Sequence, residues 1–208
     1  MSLNDYTQLE YIESTGTQYI DTGFKCSHND NYTFEQECSI SNDNYAGANG
    51  YMQWKGGITN NIKCNVKVVY KNVQEIIYVN NTQISSESWS SYNENNKIIG
   101  IFRLGNSDSW WTGGNPQSGK LYSFKLWKDN NLVRDLIPVK RRADSVVCMY
   151  DNISKNYFEN AGTETFIAGP EKGDKPYKQL DYIAIRDKLF MLNDPMVKRE
   201  RFNLPDSI

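Results

Sequence analysis

The sequence predicts an all-β protein built as a two-sheet antiparallel sandwich. Tyrosine occurs 14 times and aromatic residues make up 13% of the 208 residues. Aromatic residues mixed with Asn, Ser, Thr and Gly are typical of strands and the turns between them. Short segments with a period of two recur along the chain, and turn signals separate them. This arrangement predicts a sandwich, of which the jelly roll is one form.

Two segments show the period of two most clearly. The segment "YTFEQECSI" alternates apolar with polar residues, and its apolar face carries Tyr32, Phe34, Cys38 and Ile40. The segment "NIKCNVKVVY" does the same, with an apolar face of Ile62, Cys64, Val66, Val68 and Tyr70. This alternation indicates half-buried strands in an antiparallel sheet with one solvated side.

Asparagine-rich turns mark two hairpins. Asn80 and Asn81 interrupt "EIIYVNNTQI", and Asp129 to Asn131 interrupt "KLYSFKLWKDNNLVRDLIPV". Asn tolerates a positive φ and therefore favours tight turns. In the second hairpin we expect one face to carry Tyr122, Phe124 and Leu126, and the other to carry Leu121 and Trp127. Because both faces are partly apolar, this hairpin is predicted to lie in the middle of a sheet.

Composition and charge exclude several classes of protein. The formal net charge of −2 gives no overall field for nucleic acid or an anionic membrane. No apolar segment reaches 18 residues, and the first residues do not resemble a signal peptide, so neither a span nor a leader is expected. Zinc is not expected either, because His28 is the only histidine and no C-x-x-C pair occurs. Buried free thiols are the favoured state of Cys26, Cys38, Cys64 and Cys148.

The composition changes near the carboxy terminus. We predict one domain over residues 1–170, a linker over 171–176 ("EKGDKP") and a tail over 177–208. The tail contains the only plausible helical segment, about 185–192, which ends before Pro195.

Both ends of the predicted domain resemble one family. The segments "LEYIESTGTQYIDTGF", "GKLYSFKLWKDNNLVRDLIPVKRRAD" and "MYDNISKNYFENAGTETFIAGP" are similar to concanavalin A-like, laminin-G-like jelly-roll lectin domains. Such domains occur in tailed-phage virion proteins and in surface proteins of gut bacteria. The resemblance covers residues 6–170 and is carried by the two ends. Ser145 and Glu164 depart from it, since both occupy positions where the family often has Gly.

The tail repeats the start of the domain. "YKQLDYI" (177–183) matches "YTQLEYI" (6–12) at five of seven positions, and it resembles the first strand of a following copy. Chance similarity of a Tyr-rich strand is the alternative. The tail is too short to bury its own core yet too apolar for disorder. We expect it to dock on another subunit, or on an edge of its own sandwich, through Leu180, Tyr182, Ile183, Ile185, Leu189 and Phe190.

Candidate catalytic residues are few. The resemblance includes glycoside hydrolases with three strand acids in the pattern E-x-D-x-E. Here Glu35 and Glu37 share a strand face, but Thr33 and Ser39 occupy the flanking positions. A nucleophile beside His28 would need local geometry that adjacent side chains rarely achieve. We therefore expect no enzymatic activity and interpret the two acids as a solvated strand face.

The sequence offers better material for binding a sugar. The long loop "LGNSDSWWTGGNPQSG" holds Trp110 and Trp111, and an exposed indole gives a flat apolar surface for a sugar ring. Both tryptophans could instead pin the loop to the sandwich. Further candidates for this glycan site are Asn106, Asp108, Asn115 and Trp54. Asp108 and Asn106 supply too few oxygen ligands to support a calcium site, so no cofactor is expected.

Together these features predict a non-catalytic, lectin-like structural or attachment protein of a phage virion, in the tail or head, that contacts cell-surface glycans. It would be assembled in the host cytoplasm as part of a larger assembly or homo-oligomer. A fragment of a cell-surface protein is the alternative for its location. A glycan-cleaving hydrolase and a decoration protein that binds no sugar are the alternatives for its function.

Overall fold

The structure is a computed structural model that describes residues 5–26, 30–40, 46–48, 52–54, 62–71, 74–88, 97–103 and 117–173. These residues form strands and turns, and no helix occurs among them, which confirms the all-β class. None of them forms a helix able to cross a membrane.

The strands are short and follow one another closely. In chain order they are β1 (Tyr6–Gln8), β2 (Ile12–Thr15), β3 (Ile20–Cys26), β4 (Asn31–Ile40), β5 (Ala46–Ala48), β6 (Met52–Trp54), β7 (Cys64–Lys71), β8 (Gln74–Val79), β9 (Thr82–Ser88), β10 (Lys97–Ile101), β11 (Ser118–Lys128), β12 (Asn131–Arg141), β13 (Val147–Asp151), β14 (Tyr157–Phe158) and β15 (Ile167–Ala168).

Two antiparallel sheets make up the predicted sandwich. The large sheet has the order β14-β13-β12-β11-β4-β7-β8-β9, with β1 added to β12, β2 added to β11 and β15 added to β2. The small sheet has the order β3-β10-β5-β6. One continuous cluster of buried side chains draws on strands of both sheets, including Ile20 from β3 and Phe34 from β4.

The β11–β12 hairpin lies inside the large sheet, as predicted. β4 pairs with the free side of β11, and β13 pairs with the free side of β12. The shared face of Phe124 and Leu126 is confirmed, but Leu121 and Tyr122 lie on the faces opposite to those predicted. A bulge between Leu121 and Ser123 shifts the alternation, so Leu121 is buried with Phe124 and Leu126, while Tyr122 lies half-buried on the opposite face. A bulge adds one residue and reverses the side-chain phase beyond it.

The apolar faces predicted for β4 and β7 are buried except at Ile62, and Ser39, predicted on the solvated face of β4, is buried as well. Ile62 precedes β7 and is 68% exposed, because the chain is not yet paired there. Gln36 lies in phase with the apolar residues of β4 and is buried between Val66 and Phe124 of the neighbouring strands. Neither Oε1 nor Nε2 of Gln36 has a hydrogen-bond partner.

Left-handed backbone conformations occur where the sequence predicts tight turns. Asn80 and Asn81 have φ values of 47° and 67°, and Asp129 and Asn130 have 49° and 66°. Consecutive positive φ values are required in type I′ hairpin turns. Both predicted hairpin turns are therefore confirmed, with Asn131 already in β12.

The two departures from the family pattern also lie in left-handed conformations. Ser145 has a φ of 63° and Glu164 a φ of 60°. Residues other than Gly reach this region at a cost of about 1–2 kcal/mol. Glycine would adopt the conformation at both positions without this cost.

An arginine whose side chain is only 17% exposed connects the two sheets. Arg134 of β12 extends toward β3, where its Nε donates a hydrogen bond to the Thr22 carbonyl oxygen at 3.0 Å. Its guanidinium carbon lies 4.5 Å from the ring centre of Phe24 and 4.9 Å from that of Phe158. Its Nη1 lies 3.5 Å from Oδ2 of Asp151. Because these partners come from β3, β13 and β14, one side chain holds together three strands besides its own.

Asp151 is fully buried and organises the turn that follows β13. Its carboxylate accepts hydrogen bonds from the backbone N–H groups of Asp135 (2.9 Å) and Ile153 (3.1 Å) and from the Ser154 hydroxyl (2.7 Å). Burial alone would raise the pKa of this carboxyl, but the hydrogen bonds outweigh it and hold the pKa below its ordinary value. The ionised form therefore stabilises the folded state, and this stabilisation is lost as the pH falls through the lowered pKa.

The start and the end of the sandwich meet beside β2. β15 pairs with β2, and the Glu10 N–H donates to the Pro170 carbonyl at 2.8 Å. The buried Gln18 amide makes a second link: its Nε2 donates to the Thr165 carbonyl at 2.9 Å, and its Oε1 accepts from the Thr15 N–H at 2.8 Å. These contacts therefore join the amino-terminal and carboxy-terminal segments of the sandwich beside β2.

The chain divides into two units, Met1–Glu171 and Lys172–Ile208. The first unit is the sandwich. The predicted tail (177–208), its helix at 185–192 and the docking residues Leu180, Tyr182, Ile183, Ile185, Leu189 and Phe190 lie outside the described residues. Those expectations stay predictions.

The contrast between the two buried glutamines generates a test of core packing. We expect Gln36→Leu to raise the free energy of unfolding by about 1–3 kcal/mol, because it removes a buried amide that forms no hydrogen bond. Gln18→Leu is the matched control and should lower it by a similar amount, because it breaks bonds on both ends of an amide. Urea denaturation measures both values. A loss of stability in Gln36→Leu would show that its amide is satisfied in solution.

Candidate functional site

Most of the glycan site predicted from the sequence falls outside the described residues. This applies to Trp110, Trp111, Asn106, Asp108 and Asn115. Trp54 ends β6, where its backbone pairs with Ala46 of β5, and its side chain is outside the described part. His28 is outside it as well.

The two acids of β4 form ion pairs with the next strand. Glu35 accepts from Lys67 at 2.8 Å, and Glu37 accepts from Lys63 at 2.9 Å. Both carboxylates lie on the solvent side of the sheet, with side-chain exposures of 34% and 43%. Both carboxylates are taken up by ion pairs with a neighbouring strand, which fits the structural role expected from the sequence.

A surface that the sequence did not indicate lies beside this pair. It consists of Tyr11, Lys63, Lys120 and Tyr122, and we call it the tyrosine–lysine surface. The rings of Tyr11 and Tyr122 meet edge to face, with centres 5.4 Å apart and planes inclined by 64°. Lys120 Nζ lies 4.4 Å from the centre of the Tyr11 ring, and Lys63 Nζ lies 4.2 Å from that of Tyr122.

The fold holds this surface in place. Tyr11 lies just before β2, and a Cβ at Gly169 would come within 2.9 Å of the Tyr11 ring, so only glycine allows this close approach. Tyr122 is turned outward by the bulge in β11 described above. Lys120 Nζ is 3.4 Å from the Tyr11 hydroxyl. The two rings are thus fixed by backbone geometry; they and Lys120 are half-buried, whereas Lys63 is exposed.

The charges around the tyrosine–lysine surface are balanced. Lys63 pairs with Glu37 at 2.9 Å, and Lys120 lies 3.8 Å from Glu13. The hydrogen bond with the Tyr11 hydroxyl raises the pKa of Lys120, and burial raises the pKa of Tyr122. The surface combines two phenol hydroxyls with two lysines and their two acidic partners. Such a set can donate and accept hydrogen bonds without favouring a charged ligand.

A second aromatic cluster serves packing instead. Tyr150 is 5% exposed and lies between Tyr6 and Tyr157, at 4.8 Å and 5.3 Å between ring centres. Arg141 covers Tyr157 and pairs with Glu159 at 2.6 Å. The central ring of this cluster is buried, which fits a role in packing.

The described residues contain no group of three or more His, Cys, Asp or Glu side chains placed to hold a metal ion. All four cysteines are free and buried, as expected.

Of the two rings in the tyrosine–lysine surface, only Tyr11 could have been singled out from the sequence. Tyr11 lies in the segment "LEYIESTG" that carries the family resemblance, but nothing there shows which side of the sheet it faces. Tyr122 was placed on the face of Phe124 and Leu126 because strict alternation was assumed. Only the bulge, which depends on pairing with β4, places it outside.

Comparison with known proteins supports the fold. No protein-family model and no curated protein matches the chain. Among solved structures, the chain is similar to a Bacteroides ovatus protein to which carbohydrate binding has been attributed, with a TM-score of 0.50 and 14% identity. The match covers 80% of this chain and 61% of that one, so the chain spans less than two thirds of that protein's length. At this identity the likeness shows a shared β-sandwich fold.

The ion-paired acids generate a test for catalysis. The double variant Glu35→Gln, Glu37→Gln should lose no more than about 2 kcal/mol of unfolding free energy, because each exposed pair contributes about 0–1 kcal/mol. Wild type and double variant should release equal, background amounts of reducing ends from host polysaccharide. Release by the wild type that disappears in the folded double variant would identify a hydrolase.

Proposed function

We propose that this protein is a non-catalytic carbohydrate-binding β-sandwich. The observation that carries the proposal is the tyrosine–lysine surface, in which two fixed aromatic rings are surrounded by hydrogen-bond donors and acceptors. Protein sites for sugars need an apolar face for the C–H side of the ring and polar groups for its hydroxyls. Tyr11 and Tyr122 supply the first, and Lys63, Lys120 and their acid partners supply the second.

The ligand class follows from the charge balance. Each lysine already has a carboxylate within 4 Å. An acidic sugar would be attracted by the lysines but repelled by these carboxylates. A neutral sugar is not repelled by the carboxylates, and its hydroxyls can form hydrogen bonds with both the lysines and the carboxylates. The proposed ligand is therefore a neutral glycan. The Bacteroides ovatus protein of similar fold, to which carbohydrate binding has been attributed, is consistent with this class of ligand.

The biological setting that we propose is a phage virion. The support is the sequence resemblance over residues 6–170 to domains found in tailed-phage virion proteins. In this setting the sandwich contacts glycans of the host surface, and the tail over 177–208 docks on another virion subunit. The loop with Trp110 and Trp111 remains the second proposed contact for the same glycan.

Binding of glycans is tested on an array of neutral and acidic oligosaccharides. We expect hits among the neutral glycans, and Tyr122→Ala should weaken them by at least about tenfold, because it removes an aromatic platform. Tyr78→Ala is the matched control. Tyr78 is a half-buried tyrosine on β8 of the same sheet, three strands from β11 and thus about 14 Å away. It should bind as the wild type does.

Three results would contradict parts of this proposal. Folded wild-type protein without any hit would favour a decoration protein that binds no sugar. Hits that persist in Tyr122→Ala but vanish in Trp110→Ala or Trp111→Ala would move the site to the loop. Hits confined to acidic glycans would contradict the proposed ligand class.

A further inference from the structure

Two of the four cysteines are direct neighbours across the large sheet. Cys38 of β4 and Cys64, the first residue of β7, are partners in the antiparallel register. Residues in this relation have Cα atoms about 4.5–5.5 Å apart. Disulfides need Cα separations of about 4.4–6.8 Å. The backbone therefore already has the spacing of a disulfide, although both thiols are free.

We propose that Cys38 and Cys64 form a reversible disulfide, so that β4 and β7 carry a redox switch. The two thiols are in hydrogen-bond contact with each other. Closure therefore needs rotation of side chains rather than movement of strands.

The two thiols differ in solvent exposure, and this difference determines which of them reacts first. Cys38 is fully buried, whereas Cys64 is 6% exposed and follows the exposed Ile62 and Lys63. The hydrogen bond from Cys38 lowers the pKa of Cys64, and burial raises the pKa of Cys38. The thiolate is the reactive form of cysteine. Cys64 therefore reacts first, and Cys38 resolves the intermediate.

The oxidant in this proposal is a small-molecule disulfide such as oxidised glutathione. The Cys64 thiolate attacks one glutathione sulfur, which forms a mixed disulfide and releases one glutathione. The Cys38 sulfur then attacks Sγ of Cys64 and releases the second glutathione. Two protein thiols are oxidised, one disulfide molecule is reduced to two thiols, and the two protons end on glutathione.

The other two cysteines provide internal controls. Cys26 pairs with Lys97 and Cys148 pairs with Val139, so neither has a cysteine opposite in the register. Both are fully buried, and burial raises the pKa of Cys148 to about 12 and that of Cys26 still further. They should stay reduced under the same treatment.

The bond would crosslink two adjacent strands of the large sheet and close a loop that contains two strands of the small sheet. The chain between Cys38 and Cys64 contains β5 and β6, which belong to the small sheet, while both cysteines belong to the large sheet. A crosslink that closes a loop reduces the conformational freedom of the unfolded chain, and this reduction grows with the length of the loop. The protein is then more stable in oxidising surroundings than in a reducing compartment.

The test uses the full-length protein, folded and fully reduced, and equilibrated with excess oxidised glutathione. We expect the intact mass to fall by two hydrogens, the count of free thiols to fall from four to two, and peptide mapping to join Cys38 to Cys64. The melting temperature should rise by about 5–15 °C over the reduced protein. Cys148→Ala should behave as the wild type does, and Cys64→Ala should form no disulfide.

Several outcomes would overturn the proposal. These are retention of four thiols, a glutathione adduct on Cys64 that Cys38 does not resolve, or a bond that maps to Cys26 or Cys148. An unchanged melting temperature in oxidised wild type would overturn the stabilising role of the bond. The wild-type comparison decides the matter even where a cysteine variant fails to fold.

Discussion

The sandwich depends on the buried contact of Arg134 with its partners. A guanidinium at this position must replace the water that it loses, and it does so with the Thr22 carbonyl, the Asp151 carboxylate and the faces of Phe24 and Phe158. Breaking a buried pair by removing one member costs about 3–5 kcal/mol. Because Thr22 lies on the small sheet and Asp151 on the large one, this contact fixes how the sheets lie on each other. It also closes the β13–β14 turn through the hydrogen bonds of Asp151.

Because packing between the sheets uses only the inner face of the large sheet, the outer face is available to contact a ligand. The inner face takes the apolar side chains and Arg134. The outer face carries ion pairs such as Lys67–Glu35 and the tyrosine–lysine surface. Ion pairs on an exposed face add little stability. Their arrangement around two fixed rings is the feature on which the proposed recognition of a glycan rests.

Much of the fold could be predicted from alternation and turn chemistry. The faces of β4 and the Asn80–Asn81 turn follow from local rules, and the structure confirms both. Features that depend on pairing between distant strands could not be predicted in this way. The bulge that turns Tyr122 outward arises where β11 meets β4, and no local pattern in "KLYSFKL" encodes it. Gln36 was missed because a buried amide breaks the alternation rule, and Arg134 because charged residues are expected outside. The resemblance gave the family of folds, but the candidate surface emerged only from the geometry.

The central claim is that a neutral glycan binds at the tyrosine–lysine surface of the sandwich. Nuclear magnetic resonance of protein labelled with ¹³C in its tyrosine rings tests this most directly, during titration with neutral oligosaccharides prepared from the host surface. The account predicts saturable shifts for Tyr11 and Tyr122, with Tyr78 and the packed Tyr150 unchanged. Shifts confined to other tyrosines, or no saturable shift in folded protein, would contradict it.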